Sequence, residues 1–129
     1  MGIGEAGAGS ARSGSGDGRL SVETRRTAGA VVCSLAGELD LDSLGAAREA
    51  LEAATSAGPP MLVLDLADLR FCDSSGLNLL LQTRLAAEAA ELPMRLVALA
   101  PQVERVFEIT GAGTVFSIHD SVDEAVASL

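Results

Sequence analysis

Met61-Leu62-Val63-Leu64-Asp65-Leu66-Ala67-Asp68-Leu69-Arg70-Phe71-Cys72-Asp73-Ser74-Ser75-Gly76-Leu77 is the stretch that decides the fold of this chain. Its first six residues form a nearly continuous apolar run of strand length, the pattern of a central strand covered on both faces. From Gly76 onward Leu77, Leu80, Leu81 and Leu85 recur at helical spacing, continuing to about Glu91. The segment Phe71 to Leu77 therefore lies at a strand-to-helix corner and places two hydroxyls and a carboxylate there. A helix start offers unpaired backbone N–H groups and the positive end of a dipole, both suited to a phosphate.

The same alternation continues on either side. Leu20 to Thr24 and Ala30 to Ala36 read as strands joined by a turn at Thr27 to Gly29, and Gly37-Glu38-Leu39-Asp40 breaks the second run. Leu44, Ala47, Leu51 and Ala54 mark an amphipathic helix that ends near Gly58 and is closed by Pro59-Pro60. Met94 to Leu99 is a further buried strand. Pro101 opens a helix carrying Val103, Val106 and Phe107 and ending at Gly111. Val115 to Ile118 reads as a last short strand, and Ser121 with Glu124 has capping-box spacing for a terminal helix. The order β-β-α-β-α-β-α-β-α predicts an α/β fold, a mixed central β-sheet with covering helices.

With 129 residues, the chain has the length of one domain. Residues 1–18 hold seven of the 14 glycines among Ala and Ser, with too few large apolar groups to offset the entropy of ordering. They read as a flexible tail, and the domain as residues 19–129. Aromatic residues make up only 2% of the chain, so the core falls to Leu, Val, Ile and Ala.

Net charge is −9 and every basic residue is Arg. Such an acidic chain, without a basic stripe or stacking aromatics, is not expected to bind nucleic acid directly. Cys33 and Cys72 sit in apolar strand settings without a CxxC spacing, as buried reduced thiols do. His119 is the single histidine, which leaves little for a metal site, and no metal or cofactor is expected. No apolar run reaches the roughly 18 residues of a membrane span, and no signal peptide pattern opens the chain. A cytoplasmic protein is expected.

Ser74 has two readings: a helix N-cap hydroxyl, a common use of Ser, or a site that carries a phosphoryl group. Asp73 reads equally as the cap itself, which would leave Ser74 pointing outward. Ser75 is the rival acceptor and otherwise a first-turn structural hydroxyl. Asp40 reads as an Asx-turn or cap residue before the helix after it. Leu79 lies off the face set by Leu77, Leu81 and Leu85 and reads as exposed, either a partner contact or an ordinary isolated surface leucine. An enzyme is disfavoured: Gly-x-Ser-x-Gly is absent, His119 is remote, and a chain without Lys carries no phosphate-binding Gly-rich loop of the Walker type.

Two segments and their spacing carry a resemblance. Leu35-Ala36-Gly37-Glu38-Leu39-Asp40 followed by a helix, then Leu64-Asp65-Leu66 leading into Phe71-Cys72-Asp73-Ser74-Ser75-Gly76-Leu77, resembles the STAS-domain family, most closely its bacterial anti-sigma factor antagonists. Pro101-Gln102-Val103-Glu104-Arg105-Val106-Phe107, running on to Gly111, is similar to the segment after that family's fourth strand, so the resemblance spans Arg19 to Leu129. It implies a non-enzymatic protein that binds an anti-sigma factor serine kinase and frees a sigma factor. Phosphorylation by the kinase breaks the complex and a PP2C-type phosphatase restores it. Carried over by position, it implies Ser74 as phospho-acceptor and Asp40, Asp73, Ser75, Gly76 and Leu79 at the partner surface. Cys72 departs from the Met or other apolar residue usual there, a tolerable change since a buried Cys is a small hydrophobe. STAS-like domains also serve as scaffold subunits of stress-signalling complexes and as accessory modules of transporters, which is the alternative reading.

Overall fold

The computed structural model describes residues 11–14, 19–27 and 29–128. Among them are six strands, β1 (Ala11–Gly14), β2 (Leu20–Arg26), β3 (Val31–Leu39), β4 (Leu62–Cys72), β5 (Met94–Val97) and β6 (Ile118–His119). The helices are α1 (Leu44–Ser56), α2 (Ser74–Ala89), α3 (Pro101–Thr110) and α4 (Val122–Val126). The strands lie in the sheet in chain order. β1, β2 and β3 pair antiparallel, while β3–β4, β4–β5 and β5–β6 are parallel, each parallel step carrying a helical crossover. The mixed sheet with covering helices is the arrangement expected from the sequence.

One face of the sheet presents Leu20, Val22, Cys33, Leu35, Leu62, Leu64, Leu66, Leu69 and Leu96 to the inner sides of α1, α2 and α3. The alternate residues Val32, Val63 and Val97 meet Ala125, with Val122 and Val126 of α4 packed beside them. Burial on both faces explains why the Met61–Leu66 run is continuous rather than alternating.

Four expectations need correction. Ala11–Gly14 lies inside the expected tail yet pairs with β2, Ala11 opposite Thr24 and Gly14 opposite Ser21. A ladder bonds through the backbone, so a strand of Ala, Arg, Ser and Gly leaves no apolar period to read. The remainder of the expected tail, residues 1–10 and 15–18, lies outside the described residues.

Gly37, Glu38 and Leu39 do not break the second strand but complete it. The third correction concerns α2. Leu79 is buried at 4% exposure and Leu85, assigned to the apolar face, is 57% exposed. The buried stripe is Gly76, Leu79, Leu80, Thr83 and Ala87, with Leu77 beside it, because α2 packs against α1 as well as the sheet. Its start is leucine-rich all round, so spacing alone left the phase of the helix open. Thr83 fits the buried stripe because its hydroxyl donates to the Leu79 carbonyl oxygen at 2.8 Å. Finally, Val115 and Ile118 are exposed and only Ile118–His119 joins the sheet, at its edge.

Within β4 the pairing with β3 slips twice, between Ser34 and Ala36 and between Gly37 and Glu38. Each slip inserts one extra β4 residue, and the neighbouring pairs Ala67-Asp68 and Arg70-Phe71 face solvent. Such bulges bend a strand and re-aim its side chains. Here they carry β4 to Cys72 and leave Phe71 48% exposed where α2 begins.

Candidate functional site

The C-terminal ends of the adjacent parallel strands β3 and β4 meet at one corner, and each runs into an aspartate that caps the next helical turn. After Leu39, Asp40 caps a 3₁₀ turn over Leu41–Ser43. Asp40 Oδ1 accepts from the backbone N–H groups of Asp42 (3.1 Å) and Ser43 (3.2 Å). In return the Ser43 hydroxyl oxygen accepts from the Asp40 N–H at 3.0 Å, completing a capping box. After Cys72, Asp73 caps α2, its Oδ1 accepting from the Gly76 N–H at 2.9 Å.

The two caps are tied to each other. Asp73 Oδ2 accepts from the Leu41 N–H at 3.3 Å, and the Asp73 N–H donates to the Leu39 carbonyl oxygen at 3.2 Å. Gly76 is required where this corner closes. A Cβ there would stand 2.6 Å from the Leu39 carbonyl oxygen, 2.8 Å from Leu39 Cγ and 3.1 Å from Cys72 Sγ.

Arg19 holds the acidic turn from the β2 side. Its guanidinium pairs with Glu38 at 3.2 Å, with Asp42 at 3.0 Å and with the buried Asp40. Its carbonyl oxygen accepts from the Glu38 N–H at 2.8 Å. Gly37 permits this approach: its φ is +105°, and a Cβ would fall 2.0 Å from that carbonyl oxygen. The hydrogen bond to Glu38 and then the charge of Asp40 hold the Arg19 guanidinium above its ordinary pKa. Beneath the corner, burial and then the charge of Asp73 push the Cys72 thiol up to about 12. It stays protonated at neutral pH and is a packing group there.

Ser74 is the first residue of α2 and is exposed, and no hydrogen bond joins its hydroxyl to any described residue. With Asp73 as the cap, the N-cap reading of Ser74 is excluded. Ser75 is half-buried. Among the described residues, no group of three or more His, Cys, Asp or Glu is placed to hold a metal ion, and no helix is long and apolar enough to cross a membrane.

A family model for the STAS domain matches residues 21–125. The chain belongs to the STAS-domain family. Among solved STAS-like structures, an anti-sigma factor antagonist from Mycobacterium paratuberculosis is 27% identical with a TM-score of 0.75, the match covering 89% of this chain and 97% of that one. The anti-sigma factor antagonist SpoIIAA in its unphosphorylated form is 28% identical, TM-score 0.68, covering 81% and 92% of the two chains. The phosphorylated form of the Bacillus cell fate determinant SpoIIAA is 27% identical, TM-score 0.63, covering 82% and 96%.

Set on this STAS domain, the sequence-derived site residues separate into two groups. Asp73, Ser74 and Ser75 come together at the accessible corner. Asp40, 7% exposed, reaches the same corner but its carboxylate points inward to its own turn and to Arg19. Gly76 is buried beneath the corner, and Leu79 faces α1 beside Leu51 and Thr83. These three are structural supports, because each spends its side chain, or the space of a missing one, on a neighbour inside the domain.

Three accessible features escaped the sequence reading. Leu41, 69% exposed, projects from the 3₁₀ turn, and Phe71 flanks the end of β4. An isolated Leu between Asp40 and Asp42 was a usable signal, since a buried core position there would break the acidic context. Arg19 left no signal, because Glu38, Asp40 and Asp42 are 19 to 23 residues away from it.

Proposed function

We propose that this protein is an anti-sigma factor antagonist, switched by phosphorylation of Ser74. In its unmodified form it binds an anti-sigma factor serine kinase in the cytoplasm and thereby frees a sigma factor. The kinase transfers the γ-phosphoryl group of ATP to the Ser74 hydroxyl, which breaks the complex, and a PP2C-type phosphatase restores it. The phosphoryl chemistry belongs to these partners.

The observation that carries the reading is the accessible Ser74 hydroxyl, unengaged by any described residue, at the first turn of α2 in a STAS domain. The likeness to SpoIIAA, known in unphosphorylated and phosphorylated forms, supports it. Leu41 and Phe71 supply accessible apolar surface near the same corner. A phosphate adds roughly −1.5 to −2 charges beside Asp73. The helix N-terminus compensates part of that charge within the free protein, so the fold tolerates it. At an interface the charge must be desolvated, and a loss of about 3 kcal/mol weakens a complex more than a hundredfold.

The test is incubation of the protein with kinases encoded near its gene and ATP, followed by mass spectrometry and binding measurements. Single-site modification at Ser74, absent from Ser74→Ala, with loss of kinase affinity on modification, is the expected result. Modification centred on Ser75 or elsewhere, or unchanged affinity after modification of Ser74, refutes it.

A further inference from the structure

Arg19 is held at both ends against one loop. Its carbonyl oxygen binds the Glu38 N–H, and its guanidinium joins Glu38, Asp40 and Asp42. Asp40 has no spare acceptor atom: Oδ2 meets Arg19 while Oδ1 caps the 3₁₀ turn. That turn presents the Leu41 N–H to Asp73 Oδ2, and Asp73 Oδ1 caps α2. A continuous chain of contacts thus runs from Arg19 to the first turn of α2, where Ser74 sits.

The electrostatics trace the same path. Glu38, Asp40, Asp42 and Asp73 carry four formal negative charges around this corner, and Arg19 pairs with three of their bearers. Without Arg19, a phosphate on Ser74 would be added to a surface already strongly negative. The contrast between the unmodified and modified states would shrink.

We propose that Arg19 is the positioning residue of the switch: it holds the Glu38–Asp42 loop against the cap of α2 and cancels enough of that loop's charge for a phosphate on Ser74 to dominate the corner. The proposal rests on Ser74 as the modified residue. The fork of the guanidinium suits it to several carboxylates at once, whereas a lysine ammonium supplies the charge without that geometry.

The experiment uses full-length protein carrying phosphoserine at position 74, installed during translation so that no kinase is needed. The phosphate is titrated by ³¹P NMR at low salt. Arg19→Met is expected to raise the second phosphate pKa by roughly 0.3 pH unit, the effect of one unit charge removed from a water-exposed neighbourhood. Arg19→Lys restores most of that change, and Asp42→Asn, at an exposed position, moves it the other way. In the unmodified protein, Arg19→Met also speeds amide exchange at Leu41.

Arg84→Met serves as the control. It removes a 2.7 Å bond from Arg84 Nε to the Val115 carbonyl oxygen on another part of the domain, and it is expected to leave both readouts unchanged. A phosphate that titrates alike in wild type and Arg19→Met, no rescue by Arg19→Lys, or unchanged Leu41 exchange overturns the proposal. Failure of every kinase to modify Ser74 would instead refute the antagonist reading and leave the titration result standing.

Discussion

Replacement of Asp73 separates the two tasks of its carboxylate. In the wild type Oδ1 takes the Gly76 N–H at 2.9 Å and Oδ2 takes the Leu41 N–H at 3.3 Å. Asp73→Ala removes both. Loss of an N-cap costs about 1 kcal/mol. Loss of the charge at the helix start adds about 0.4 kcal/mol. The long bond to Leu41, at an exposed turn where water takes over, adds about 0.3 kcal/mol. The expected total is about 1.7 kcal/mol, or a drop in Tm of roughly 6 °C for a domain of this size.

Asp73→Asn keeps one carbonyl oxygen, which is enough for Gly76, and turns an NH₂ group toward the Leu41 N–H. It retains the cap and loses the other two contributions, so it costs about 0.7 kcal/mol. Urea unfolding at pH 7 with a shared m-value measures both variants. In 1 M salt the cost of Asp73→Asn shrinks, since the charge contribution is screened, while the difference of about 1 kcal/mol between the variants persists. Equal costs for the two variants, or an Asp73→Ala cost below about 0.5 kcal/mol, would refute the assignment of Asp73 as the cap.

Three further outcomes are expected. Gly76→Ala forces a Cβ to within 2.6 Å of the Leu39 carbonyl oxygen and is expected to lower stability by about 2 kcal/mol or more in urea unfolding, against the usual gain of Ala in a helix. Leu79→Ala is expected to cost about 3 kcal/mol and Leu85→Ala under about 0.5 kcal/mol; equal values would return Leu79 to the surface. Above pH 9 the two thiols dominate titration, because the chain has no Tyr and no Lys. The folded-state pKa of Cys72 is raised from 9.0 to about 12, so its contribution is intact below pH 9 and is lost as pH rises toward 12. By pH 10 the loss is on the order of 1 kcal/mol, and Cys72→Ala is expected to flatten the alkaline decline measured by chemical denaturation; an unchanged slope would count against the burial of this thiol.

Much of the architecture was legible because its determinants are local. The Met61–Leu66 run, Pro59-Pro60 and Pro101 act through backbone geometry and burial within a few residues of themselves, and each lies where an element begins or ends. Ser121 likewise caps α4 by accepting from the Glu124 N–H. The cap at Asp73 was legible as one of two options, and geometry chose between them. The phase of α2 was not legible, because it depends on how closely α1 approaches, a tertiary fact that four leucines in five positions do not encode. Arg19 was illegible for a related reason: an ion pair spanning 21 residues leaves no periodicity. The bulges in β4 concealed Phe71 by placing two exposed residues in succession where a regular strand alternates.

Because the strands are arranged in the sheet in the order of their synthesis, each one finds its neighbour already made. Among the described residues no strand waits for a later segment to be inserted between it and its predecessor, and each ladder closes over a limited stretch of chain. Such near-neighbour pairing loses less loop entropy before contacts repay it than pairing between strands distant in the chain. Growth during translation can then proceed from β1 toward β6, with α4 following to cover Val32, Val63 and Val97. Under the Ser74 switch proposed above, fresh, unmodified copies made in this manner would reset the signal at the pace of synthesis, a second route besides removal of a phosphate.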